Sequence, residues 1–344
     1  MLDSFDPDAS ASPGSGVFGL SHAREDSDVV LVPVPWDATV SYGAGTADGP
    51  AAILQASHQV ELYDIQTGRP YERGIHMLPI SDDIRSNSDA ARQLVTALAK
   101  ADSAAGSAAH AQVDALCAEV HESVYRTVVD ILAEGRLPGV VGGDHSVAQG
   151  AIRAVAERCP GVGVLQVDAH ADLRVSYEGF RYSHASIMDN VLRDIPEVAR
   201  IVQVGIRDLC ETEARAAAQD PRVVQHHDVV WRQRMAAGES LDSILQEVVG
   251  ALPPDVYISF DIDGLDPTLC PATGTPVPGG LLFHEVRLLL QAVVDSGRRI
   301  LGFDLTEVAP SSGGGEWDGN VGARILYSLI GFALLTDGVG YSQP

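Results

Sequence analysis

Three short segments bring together the side chains best suited to hold charge and move protons. Gly142-Gly143-Asp144-His145-Ser146 closes one β-branched run, Asp168-Ala169-His170-Ala171-Asp172 closes a second, and Asp261-Ile262-Asp263 closes a third. Residues two apart in an extended chain point to the same side, so Asp168, His170 and Asp172 can converge on one point, and Asp261 and Asp263 can do the same. An apolar strand that runs straight into two or three carboxylates suffers a large desolvation cost unless cations compensate the charge. The imidazoles of His145 and His170 and the carboxylates of Asp168, Asp172, Asp261 and Asp263 are enough to hold two divalent cations. Mixed nitrogen and oxygen ligation suits Mn2+, Zn2+, Fe2+ or Ni2+. Taken singly, each feature has a plainer reading. A DxD at a strand end is often a turn or a helix cap, and a glycine pair without a following lysine is a weak sign of phosphate binding. The DxHxD segment is the specific one.

These segments need a scaffold that delivers them to one place. Short β-branched runs at 28–35, 139–143, 162–170, 200–207, 256–263 and 300–308 alternate with longer helical patterns. That rhythm predicts an α/β fold, a parallel sheet covered by helices, in which ligand crevices open at the C-terminal ends of the strands. Val113, Leu116, Val120, Val124, Val128, Ile131 and Leu132 fall at three- and four-residue spacings and form one apolar helical stripe ending near Gly135. The Ala- and Ser-rich stretch 101–111 reads as a helix break or surface excursion. Residues 1–27 are rich in Asp, Ser, Pro and Gly, and are expected to be mobile or docked on a neighbouring subunit. The rest, 28–344, reads as a single catalytic domain.

Composition narrows the function further. A formal net charge of −24 over 344 residues disfavours nucleic-acid partners and suits small cationic substrates. Cys117, Cys159, Cys210 and Cys270 lie far apart with no CxxC pair, which argues against a structural zinc site or a disulfide framework and fits a reducing cytoplasm. No apolar run approaches the ~20 residues needed to span a bilayer. The adjacent pair His226-His227 would face opposite sides of a strand, so joint ligation of one metal is not expected.

GGDHS, DAHADLR and SFDIDGLDP, followed by residues 272–281, resemble the signatures of the ureohydrolase (arginase/agmatinase) family in order and spacing, over roughly residues 28–335. The stretches 32–64, 172–188 and 316–324 look most like the guanidine hydrolase branch of its agmatinase-like members. The resemblance implies an arginase-like fold, a single three-layer α/β/α domain with a mainly parallel sheet of about eight strands. It implies that His145 and Asp172 complete the shell of one metal, His170 and Asp263 that of the other, and that Asp168 and Asp261 bridge both. Mn2+ is the family's usual cation, and the guanidine hydrolase likeness raises Ni2+. A hydroxide between the metals would be the nucleophile.

By the same resemblance Glu307 would pair with the substrate guanidinium, His184 would protonate the departing amine, and Asp172 would accept a proton as the tetrahedral intermediate collapses. Arginase is disfavoured, because the loop LRVSYEGFRYS differs from one that holds an α-amino acid head. Its aromatics Tyr177, Phe180 and Tyr182 are expected to narrow the pocket and stack on a flat cation. Free guanidine is therefore the first expectation. Agmatine comes next, with Glu178 available for its ammonium, and guanidino acids last, with Arg174 or Arg181 for their carboxylate. A homo-oligomer, trimeric or hexameric, is the family expectation. Two rivals remain at this point: a histone-deacetylase-like amidohydrolase, and a family member that serves as an idle structural or regulatory subunit.

Overall fold

In the computed structural model, residues 6–11, 14–100 and 106–336 are described. β-Branched runs form eight strands: β1 Val29–Val34, β2 Ile75–Met77, β3 Leu137–Gly142, β4 Gly163–Val167, β5 Arg200–Ile206, β6 Val223–His227, β7 Asp255–Asp261 and β8 Arg299–Thr306. They make one sheet in the order β2-β1-β3-β8-β7-β4-β5-β6, and every neighbouring pair is parallel. β1 and β3 are buried at every position. Helices must therefore cover both faces of the sheet, which is why these strands read as continuous apolar runs rather than alternating ones.

The helices are α1 Gly49–Ser57, α2 Asp82–Lys100, α3 Gly106–Ala133, α4 Ala148–Arg158, α5 Ile187–Asp194, α6 Glu211–Gln219, α7 Asp228–Ala236, α8 Leu241–Ala251, α9 Phe283–Asp295 and α10 Trp317–Leu334. Two apolar cores lie on opposite faces of the sheet. One packs Leu31, Leu165 and Phe303 against Ile53 of α1, Trp231 of α7, Ile244 of α8, Leu289 of α9 and Ile325 of α10. The other packs Val30, Val140 and Tyr257 against α2 to α6 through Ala91, Val120, Ile152, Ile187 and Ala217. This is the three-layer α/β/α arrangement. The stripe on α3 is the one expected, with Val113, Val120, Val124, Val128, Ile131 and Leu132 buried. The chain leaves the helix through Gly135 in the left-handed region, φ 73°. Of the Ala- and Ser-rich stretch, α3 takes up residues from Gly106 onward, and residues 101–105 lie outside the described part.

Two differences from expectation concern edges. β2 and β6, unread in the sequence, are the outermost strands. β2 is only three residues long, and β6, VVQHH, is half polar. The N-terminal stretch is also not simply a tail. Val17, Phe18 and Leu20 are buried in the sheet core, and the Phe18 ring packs on Tyr327 of α10 at 4.8 Å. The Phe18 N–H donates to Ser57 Oγ at 2.8 Å, and Arg24 pairs with Glu134 at 2.7 Å. Those apolar side chains bury enough surface to order the segment on its own domain. Residues 1–5, 12–13 and 337–344 lie outside the described part. Among the described residues no helix is long and apolar enough to cross a membrane.

Candidate active site

The four central strands in sheet order, β3, β8, β7 and β4, deliver their C-terminal ends to one rim, where a parallel sheet opens its crevice. β3 leads into His145 on a short 3-10 turn whose cap, Asp144, accepts the Ser146 N–H at 3.1 Å. β4 leads into Asp168, His170 and Asp172, β7 into Asp261 and Asp263, and β8 into Glu307. All six expected ligands meet there. His145 Nδ1 lies 3.0 Å from Asp168 Oδ2, 3.0 Å from Asp172 Oδ2 and 3.4 Å from Asp261 Oδ2. His170 Nδ1 lies 3.0 Å from Asp263 Oδ2 and 3.6 Å from Asp168 Oδ1. Two clusters result, His145 with Asp172 and His170 with Asp263, and Asp168 belongs to both.

The donor set fits two divalent cations. His145 Nδ1 is buried and makes no well-formed hydrogen bond, although carboxylate oxygens surround it. In the metal-free chain only protons offset the crowded charge. Burial disfavours a charged His145, yet the Asp168 and Asp172 carboxylates outweigh it and raise its pKa well above the ordinary value. His170 is pushed up to about 12 by Asp263 and Asp168 against its own burial. Burial, then the nearby Asp168 charge, lifts Asp172 to about 7. Burial and the neighbouring carboxylates Asp263, Asp168 and Glu307 lift Asp261 far above its usual range. A cluster this hostile to its own charges is what cations stabilise.

A row of glutamines, two of them buried and the outermost half-buried, holds Asp168 in place. Gln166, Gln203 and Gln225 are register partners across β4, β5 and β6. The Gln166 amide donates to Asp168 Oδ2 at 2.7 Å, Gln203 donates to Gln166 at 2.5 Å, and Gln225 donates to Gln203 at 2.8 Å. Asp263 is held by the Ala169 N–H at 3.0 Å and the Thr275 hydroxyl at 3.2 Å.

Glu307 sits beside the clusters. Its Oε1 accepts the His145 N–H at 2.9 Å, and its own N–H donates to Gly143 O at 2.8 Å. Burial, then the Asp144 charge, raises its pKa well above the carboxylate range. Glu307 and Asp172 both adopt the left-handed backbone, φ 61° and 53°, which side chains other than glycine rarely do and which tends to cluster at functional sites. His184 opens a second 3-10 turn, its N–H donating to Thr39 Oγ1 at 3.3 Å. Desolvation, then the charges on His170 and His145, brings its pKa down to about 4.

His145, His170, Asp172, His184, Asp261 and Glu307 all line one cavity of about 380 Å3, together with Tyr42, Arg174, Tyr177, Asp208 and Glu213. Of the three aromatics, only Tyr177 lines it. Backbone hydrogen bonds between Tyr177 and Phe180, 3.1 and 2.9 Å, close a tight turn through Glu178 and Gly179, both at positive φ. That turn sends Phe180 back into the core, 2% exposed, against the His110 ring at 4.8 Å. Tyr182 meets the His121 ring edge-on at 5.1 Å, likewise away from the cavity lining. Glu178 is exposed and also outside the lining, and Arg181 pairs with Asp194 at 2.8 Å. Arg174 is in the lining, its guanidinium 4.8 Å above the Tyr177 ring. Asp208, just beyond β5, belongs to none of the sequence motifs, although its place at a strand's C-terminal end points to it. His226 packs near Trp231 at 6.3 Å, and neither His226 nor His227 joins a cluster among the described residues.

The model of the arginase family matches residues 27–331. The chain belongs to the arginase family. It is 34% identical over 326 residues to an N(1)-aminopropylagmatine ureohydrolase of Thermus thermophilus, covering 94% of this chain and 96% of that one. It is 30% identical to an agmatinase of Bacillus anthracis, covering 86% and 88%. Its fold matches that of proclavaminate amidino hydrolase from Streptomyces clavuligerus with a TM-score of 0.73 at 23% identity, covering 95% and 99%. This arginase-family protein is an agmatinase-like ureohydrolase, a hydrolase of C–N bonds, which sets aside the histone-deacetylase-like reading.

Proposed function

We propose that this ureohydrolase splits a guanidino group with water into urea and an amine, using two divalent cations, Mn2+ or Ni2+. One observation carries the proposal. Both imidazole–carboxylate clusters open into the same cavity as Glu307, a buried carboxylate that no arginine or lysine pairs among the described residues. His145 and Asp172 would hold one cation and His170 and Asp263 the other, with Asp168 and Asp261 between them. Bound there, the cations supply activated water and stabilise developing charge. Glu307 receives the planar guanidinium in a paired hydrogen bond, with one of its oxygens already oriented by the His145 N–H. Asp172 accepts a proton from the attacking water, and His184, neutral at rest, relays a proton to the departing nitrogen. Ligands, Glu307 and His184 are all in place, which speaks for an active enzyme over an idle subunit.

The cavity favours a substrate longer than free guanidine. Phe180 and Tyr182 do not cover it, and a space of about 380 Å3 exceeds what one small planar cation fills. Asp208, exposed to solvent, lines the same space, and no side-chain hydrogen bond or ion pair holds its carboxylate among the described residues. An ammonium at the far end of an agmatine-type substrate, such as those the two relatives are named for, would complete it. Free guanidine is the second reading, supported by Tyr177 in the lining and by the flanking resemblance. The four free thiols fit a reducing cytoplasm, and we expect a homo-oligomer, trimeric or hexameric.

The test is urea release from agmatine, N(1)-aminopropylagmatine, guanidine, 4-guanidinobutyrate and arginine after separate loading with Mn2+ and Ni2+. Amine-tailed compounds should exceed guanidine by about tenfold or more in kcat/KM. The reverse order selects free guanidine, and no urea from any of them rejects the proposal.

A further inference from the structure

The strand pairing that delivers Asp261 also sets Ser259 opposite Asp304, as register partners on β7 and β8. Both are fully buried, beneath His145. Ser259 Oγ lies 2.9 Å from His145 Nε2 and 3.2 Å from Asp304 Oδ1, and the same Oδ1 accepts the Phe260 N–H at 3.2 Å. We infer that Ser259 and Asp304 are positioning residues that lock His145 in the tautomer that turns the Nδ1 lone pair toward the Asp168, Asp172 and Asp261 carboxylates. The inference rests on the two-cation reading above.

The hydrogen count dictates the direction. A carboxylate can only accept, so the single hydroxyl proton of Ser259 points at Asp304. The Ser259 oxygen is then left to accept, and the proton it accepts is the one on His145 Nε2. The neutral imidazole that a cation requires carries one proton, held at Nε2 by this relay, so in that form Nδ1 is bare and available to the cation. The Phe260 N–H matters because it demands an acceptor at Oδ1. An asparagine at 304 would be held with its carbonyl there, leaving the relay unchanged. Without the acceptor, the Ser259 proton is free to turn toward Nε2, which moves the imidazole proton to Nδ1, where it excludes the cation.

Cation binding reads this directly. The full-length protein, stripped with a chelator, is titrated with Mn2+ by calorimetry and its bound metal per chain counted. Wild type should bind two cations. Ser259→Ala should weaken one of the two by about 10–100-fold, while Ser259→Thr and Asp304→Asn, which keep the relay, should hold both as wild type does. Thermal unfolding of the metal-free proteins identifies any variant that fails to fold, and the remaining pair still decides. Wild-type affinity for both cations in Ser259→Ala overturns the relay alone, as does an equal loss in Ser259→Thr. A wild-type chain that binds no cation overturns the relay together with the metal reading.

Discussion

The backbone N–H of His145 donates to Glu307 Oε1 at 2.9 Å, so an imidazole of the cluster and the carboxylate that faces the cavity are fixed by one bond between distant parts of the chain. Glu307→Gln keeps that acceptor and removes only the charge. Cation stoichiometry should be unchanged, while urea release falls by about a hundredfold or more, the loss of a charge-assisted hydrogen bond in a buried site. Metal analysis beside kcat/KM checks it. A variant that loses metal in proportion to activity would show that Glu307 acts through the cluster rather than on substrate.

Asp208 is the selectivity probe. Asp208→Asn should raise KM for agmatine-type substrates by about tenfold and leave guanidine almost untouched, because only a tailed substrate places an ammonium there. Equal effects on both compounds would remove Asp208 from substrate recognition.

Cation binding should be worth measurable stability. Chelation should lower the thermal midpoint, and a thousandfold excess of cation over its Kd should restore about 4 kcal/mol per site. Asp263→Ala should halve the bound metal, since Asp263 faces only the His170 cluster. Asp168→Ala should abolish it, since Asp168 belongs to both.

The central strands and the His and Asp side chains at their ends are legible in the chain because each is an apolar run ending in charge, a combination that burial and compensation explain. The edge strands β2 and β6 are not, since an edge need not be apolar throughout. Phe180 misled for a related reason. Its loop is aromatic, but spacing says nothing of the turn at Glu178 and Gly179 that reverses it into the core. Gln166, Gln203 and Gln225 each look ordinary in sequence, and only strand register makes them a row.

His121 offers a pH test away from the cavity. Burial lowers its pKa from 6.5 to about 4, and its Nε2 has no partner. The unfolded chain therefore binds the proton first. Its contribution is complete above pH 6.5 and is lost progressively as pH falls toward 4, by about 3 kcal/mol in all. In urea titrations of the metal-loaded protein, His121→Leu should flatten the stability profile by that amount over this window. An unchanged slope would show that His121 is already charged in the fold.

The N-terminal segment should behave as core. Phe18→Ala should cost about 3 kcal/mol, as for other buried phenylalanines. A change within about 0.5 kcal/mol, the usual range for surface positions, would return the segment to the status of a tail.

The glutamine row has a consequence for assembly of the sheet. Its amides point one way, each N–H toward the next carbonyl and the last toward Asp168. Side chains alternate faces along a strand, so a slip of β5 by one residue would swing Gln203 to the opposite core and strand two amides in apolar surroundings. The same slip would take Gln203 away from the Gln166 carbonyl, leaving the amide that donates to Asp168 without its own support. A misaligned sheet is thus penalised at the point where the cations would bind, and metal uptake becomes a readout of correct strand alignment out to the β6 edge.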